Sequence, residues 1–212
     1  MKDFEKSWLV RGAVFDEWDI PIIATAEEVP SALVSFSKRK EEKDSSHWVH
    51  FYESDDNFSH LWTNPKQQVD TLKRFGGIIA PDFSICADYP LPIQQYNKYR
   101  NHALAYWIST QGIPVIPNVR WGDERSYEFC FRGIERNRIV AIGTHGQMKT
   151  TVNKELFLKG LPVMVSTLSP HTIIVYGSVS DDVFGEYEAS NISIVAFPSE
   201  TARYHKRQKE VA

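Results

Sequence analysis

Asp82, Arg120, Asp123, Arg125, Thr144 and His145 share one property: each stands within a few residues of the carboxyl end of a short, apolar, β-branched run. Carboxylate, guanidinium, hydroxyl and imidazole are the groups of acid–base catalysis and of anion recognition. This pattern makes Asp82, Asp123 and His145 the candidate catalytic residues, serving as base, nucleophile or proton donor. Arg120, Arg125, Thr144, Asn118 and Tyr176 are the candidate ligand-binding residues, with the two arginines holding negative charge. Glu53, Asp82 and Asp123 would meet on Mg²⁺ only if folding gathers them. The chain contains no zinc-type ligand spacing and no nucleophile elbow, so no metal ligand or cofactor is assigned.

Each of these residues also has a purely structural reading. Asp82 after Pro81 suits an Asx turn, and Asp123 in the string GDERS suits the cap of a helical turn. Arg120, beside a Trp and between carboxylates, is either an internal ion-pair hub or an anion clamp. His145, between Thr144 and Gly146, has no visible metal partner and can be an ordinary loop residue. The stretch GTHGQMKTT, Gly143 to Thr151, follows a strand and precedes a helical pattern. A phosphate-binding loop requires glycine directly before its lysine, and that place is Met148, so a triphosphatase loop is rejected. Two glycines, hydroxyls and Lys149 near a helix start still suit a phosphate or carboxylate.

The elements that must position these groups are legible from periodicity. Gly77 to Ala80, Val115 to Val119, Arg138 to Ile142, Thr172 to Tyr176 and Ile192 to Phe197 read as strands, as does Val49 to Glu53. Ile20 to Ala24 and Leu33 to Phe36 are weaker strand candidates, giving six to eight in all. Leu91 to Gly112 is the clearest helix, with Ile93, Tyr96, Tyr99, Ala103, Leu104, Trp107 and Ile108 on one face and Gln95, Lys98, Asn101 and His102 on the other. A second helix takes Asn64 as cap and Pro65 as its first residue. Alternating strands and helices predict an α/β fold with a largely parallel sheet. It is either an irregular TIM-barrel-like arrangement or an open twisted sheet with flanking helices. In such sheets ligands bind beyond the carboxyl ends of the strands, which is where the candidate residues lie.

The 212 residues suit a single domain with a less regular N-terminal segment, 1–46, and a flexible basic tail, 203–212, while Lys38 to Ser46 reads as a solvated loop. Hydrophobic residues at 42%, with six Trp, nine Tyr and twelve Phe, exclude intrinsic disorder and low-complexity scaffolds. A formal charge of −3 gives no global field for a polyanion, so nucleic-acid binding would need a local patch such as Arg203, Lys206, Arg207 and Lys209. Cys86 and Cys130 are too few for a disulfide framework. With no secretory signal and no apolar run long enough to span a bilayer, a reducing cytoplasm is the expectation.

Several of these strings, taken together, carry a resemblance. GGIIAPDFS, IVAIGTHG, IIVYGSVSDDVFG and above all IPNVRWGDERSY resemble a domain-of-unknown-function family, number 4417, frequent in prophages and mobile elements of Gram-positive bacteria. The resemblance runs from about Phe15 to Pro198 and implies a mobile-element protein of the bacterial cytoplasm, without implying an activity or catalytic residues. Three functions stay open: an enzyme acting on a nucleotide or other anionic substrate, a non-catalytic accessory protein that binds a host protein or sequesters a nucleotide, and a DNA-associated replication factor. Oligomeric state is not encoded in any motif.

Overall fold

Short β-branched runs buried on both faces form parallel strands, because only flanking helices can cover such a sheet. The computed structural model describes residues 4–211, without the side chains of residues 4, 205–207 and 209–211. Its strands are β1 (Leu33–Ser35), β2 (Trp48–His50), β3 (Gly77–Ile79), β4 (Val115–Ile116), β5 (Ile139–Gly143), β6 (Thr172–Tyr176) and β7 (Ser193–Phe197). The helices are α1 (Asp55–Thr63), α2 (Pro65–Leu72), α3 (Leu91–Thr110), α4 (Tyr127–Cys130), α5 (Thr151–Leu168), α6 (Asp181–Ala189) and α7 (Glu200–Val211). No helix among the described residues is long and apolar enough to cross a membrane.

The strands pair in chain order, β1 to β4 in one parallel sheet and β5 to β7 in another. A single parallel bridge, Asn118 to Ala141, joins the two. The joined wall is strongly curled. In a flat sheet β2 and β6 would lie about 19 Å apart, four strand spacings, yet the rings of His50 and Tyr176 meet at 4.2 Å. One inner cluster accordingly gathers Leu33, Trp48, Ile79, Ile116, Ala141, Ile174 and Tyr176 from β1 through β6, with Val195 and Phe197 of β7 packed against it. Among the described residues no backbone pairing joins β7 to β1. Glu200, just past β7, crosses that gap to the Ser35 hydroxyl at 3.1 Å and to Lys38.

Four expectations change. Ile20 to Ala24 is not a strand: Pro21 removes a donor, and the segment makes only isolated bridges, Phe15 to Pro21 and Ile23 to Ile134. It then crosses the amino ends of the strands, where Ala26 N–H donates to Val115 O at 2.8 Å. Lys38 to Ser46 is not wholly solvated, since Arg39 is buried with its guanidinium 3.5 Å over the Phe36 ring. The segment read as a flexible tail is helical through Val211, while Ala212 and the side chains of Lys206, Arg207 and Lys209 lie outside the described residues.

The fourth change is α3, which is followed, as expected, by Gly112 in the left-handed region at φ 81° that favours glycine. Of its supposed solvent face, however, Lys98, Asn101 and His102 are buried and Gln95 is half-buried; Gln94 and Asn97 are buried too, whereas Ile93 is 46% exposed. The two asparagines find partners in the loop that leaves β3, while Lys98 pairs with His102. Asn101 brackets Phe83, accepting from its N–H at 2.8 Å and donating to its carbonyl at 3.1 Å, and Asn97 donates to Ser84 O at 2.6 Å. A loop clamped in this way fixes the position of Asp82, immediately before it.

Candidate functional site

A cavity of about 440 Å³ opens at the carboxyl ends of the strands. Asp82, Asn118, Arg120, His145 and Tyr176, drawn from four different strand exits, all line it, together with His50, Tyr52, Glu53, Glu200 and the serines Ser35 and Ser84. Its size suits a small molecule, and its lining is rich in groups able to orient one.

A hydrogen-bonded chain organises one wall. The Tyr52 hydroxyl donates to Asn118 Oδ1 at 2.9 Å, Asn118 Nδ2 donates to Asp82 Oδ1 at 2.7 Å, and Arg120 Nη1 donates to Asp82 Oδ2 at 2.8 Å. Asp82 is 4% exposed. Burial pushes its carboxyl up from the usual range, opposed by Arg120 and Asn118. For Arg120, burial acts downward but is outweighed by Asp82 and Cys86, so the guanidinium stays firmly charged. Its Nε is buried with no acceptor among the described residues. Neither structural alternative is complete here, because Arg120 is paired yet retains donor capacity on the cavity wall.

The aromatic groups form a second wall. Tyr52 and Tyr176 stack at 5.1 Å, His50 lies against both, and His145 meets Tyr176 edge-on. Burial raises both tyrosines above their usual range and pulls His50 down to about 3. Burial, with Lys149, also lowers His145, leaving a neutral imidazole at neutral pH. Trp121 and Phe157 stack at 5.3 Å on the side toward α5.

Other candidate residues are placed elsewhere. Asp123 and Arg125 do not line the cavity. Asp123 caps the turn Glu124–Ser126, accepting from Arg125 N–H at 3.1 Å, and the two side chains pair at 2.8 Å. Thr144 is buried beside the cavity, with its hydroxyl donated to Ser178 O at 2.9 Å. In the loop from Gly143, His145 and Gln147 face the cavity, Thr150 caps α5 and Lys149 is exposed. The possible Mg²⁺ triad does not form, since Glu53 accepts from Ser37 N–H and Asn57, Asp82 is taken by Asn118 and Arg120, and Asp123 does not line the cavity. Among the described residues no cluster of three or more His, Cys, Asp or Glu is arranged to hold a metal.

His50, Tyr52 and Glu200 are functional candidates the sequence reading passed over. Taking β2 to run through Glu53 directed attention past its end, whereas the strand stops at His50 and Tyr52 is itself in the exit. Glu200 follows β7, and the same exit rule applied to the last strand would have found it.

The fold and site define a parallel α/β protein with a polar cavity at the carboxyl ends of its strands. The chain belongs to the family described as the domain of unknown function DUF4417, which matches residues 13–198. It is similar to the Gene 1 protein of Mycobacterium phage L5, 31% identical over 166 residues spanning 76% of this chain and 72% of that protein. It is also similar to the Gene 1 protein of Mycobacterium phage D29, 30% identical over 164 residues spanning 76% of this chain and 60% of that one. No solved structure matches it.

Proposed function

We propose that the cavity is the active site of an enzyme acting on a small phosphorylated or otherwise anionic substrate, within the nucleotide and phosphate-ester class. The single observation that carries this reading is the convergence of Asp82, Asn118, Arg120, His145 and Tyr176 on one cavity. Arg120 holds the negative group. Asp82 and Asn118 brace it rather than react, because both Asp82 oxygens are engaged. His145, partly open to solvent and neutral, is the proton acceptor. Free Cys86 and Cys130 accord with a reducing bacterial cytoplasm as the place of action.

Thermal-shift screening of the full chain against nucleotides, sugar phosphates and inorganic phosphate tests the reading, since a ligand of the folded state raises its stability. We expect stabilisation that Arg120→Met abolishes; a screen in which no anion stabilises the chain refutes the proposal. The engagement of both Asp82 oxygens also favours a second reading, a non-catalytic protein that sequesters the same ligand. Turnover of a stabilising ligand, lost in His145→Gln while binding persists, decides for the enzyme.

A further inference from the structure

The cavity has two chemically different ends. Arg120, past β4, marks one, and Ser35 of β1, Glu53 past β2 and Glu200 past β7 mark the other, with His50 in register beside Ser35. At this second end the carboxylates are held as acceptors. Glu53 takes Ser37 N–H and Asn57 Nδ2, each at 3.0 Å, and Glu200 takes Ser35 Oγ at 3.1 Å as well as Lys38. Each carboxylate oxygen has two lone pairs, so further acceptor capacity remains. Lys38, paired with Glu200, and the nearby Arg203 offset the carboxylate charge at this end.

His50 supplies the opposite polarity. Its Nδ1 accepts from Tyr52 N–H at 3.1 Å, which puts the ring proton on Nε2. That Nε2 is buried, at a side chain 0% exposed on the cavity floor, and has no acceptor among the described residues. A buried donor without a partner is costly and points to a ligand atom that completes it. A ligand hydroxyl can both accept from His50 and donate to Glu200 or Glu53. The aromatic wall adds a second constraint, because Tyr52, Tyr176 and His50 turn their faces to one another, and Trp121 turns its face to Phe157. One face each of Tyr52, Tyr176 and Trp121 is thereby taken by a neighbouring ring, which leaves less aromatic surface for stacking a flat base.

We propose that the end formed by Ser35, Glu53, Glu200 and His50 is a hydroxyl-binding subsite, which makes the substrate a phosphorylated polyol of the sugar-phosphate class, not a nucleotide held by its base. The proposal rests on the reading of Arg120 as the anion-holding group.

Calorimetric titration of the full chain with inorganic phosphate, n-propyl phosphate, glycerol 3-phosphate, ribose 5-phosphate and AMP tests it. Ribose 5-phosphate is expected to bind roughly tenfold or more tighter than n-propyl phosphate, with glycerol 3-phosphate between them and AMP no tighter than ribose 5-phosphate. Ser35→Ala and Glu200→Gln are each expected to reduce that difference while leaving n-propyl phosphate affinity unchanged. Equal affinity for n-propyl phosphate and ribose 5-phosphate, tighter binding of AMP, or survival of the difference in both variants overturns the subsite. Each of those results leaves the Arg120 site standing. Failure of every phosphate compound to bind overturns both proposals together.

Discussion

Asp82 and Arg120 meet at 2.8 Å across an asymmetric boundary: the carboxylate side chain is 5% exposed, while the guanidinium side chain keeps 24% of its surface. The pair thus places a charge at the cavity wall and hides its counter-charge behind it.

Arg120→Met should leave Asp82 buried without its cation, at a loss of roughly 3 kcal/mol near neutral pH, the lower end of what breaking a buried pair costs because Arg120 is partly solvated. The Asp82 carboxyl is already raised by burial, and removing Arg120 raises it further. A raised carboxyl contributes stability at low pH that is lost as pH rises through its folded value, so acid should favour the variant. Urea denaturation at about pH 7 and about pH 5 checks this. The gap between parent and variant should narrow at the lower pH, and an equal gap at both would contradict it.

Tyr52→Phe removes the donor that orients the Asn118 amide, and should cost about 1 kcal/mol. The stronger expectation concerns coupling. In a double-mutant cycle with Asn118→Ala, the losses should combine less than additively, because the two residues share one hydrogen bond. Strict additivity would show that Tyr52 does not orient Asn118.

Gly160 lies inside α5, where alanine normally stabilises a helix by about 1 kcal/mol. Here an added Cβ would sit 2.2 Å from Trp121 Nε1, an atom already donating to Leu156 O at 3.2 Å. Gly160→Ala should therefore destabilise, by about 1–3 kcal/mol, as overpacking does. A shifted tryptophan emission spectrum should accompany the loss, and a stabilised variant would mean that the indole moves away freely.

Lys98 is buried on α3 with Nζ 2.6 Å from His102 Nε2, and burial lowers it from 10.5 to about 7. His102 Nδ1 faces Pro21 O at 3.0 Å, so Nε2 is the acceptor and Lys98 the donor. Between about pH 7 and 10 the unfolded chain keeps a proton on Lys98 that the folded chain has lost, so stability should rise with pH across that window. Lys98→Met should remove this rise, about 2 kcal/mol between pH 7 and 9. Parallel pH profiles for parent and variant would show that Lys98 stays charged.

The strands, their parallel sense and the polar residues gathered at their carboxyl ends were legible because β-branched runs closing on Gly, Pro or polar residues report backbone burial directly. Asp82, Asn118, Arg120, His145 and Tyr176 reached the cavity for that reason. Periodicity misjudged α3, since a stripe of Gln, Asn, Lys and His is the pattern both of a solvated face and of one whose side chains satisfy a buried loop; only the tertiary fold separates the two. Asp123 and Arg125 show the opposite failure. Their spacing satisfies a local cap and ion pair completely, and the chain then has no need to carry them to the cavity.

The gap between β7 and β1 is spanned by the Glu200 carboxylate instead of a backbone ladder, so the proposed subsite and the closure of the wall share one group. A guest hydroxyl that drew Glu200 inward would weaken its grip on Ser35 and Lys38, and by reciprocity any change that tightened that grip would discourage the guest. Under the proposed subsite, the fastener of the wall is also part of its receptor.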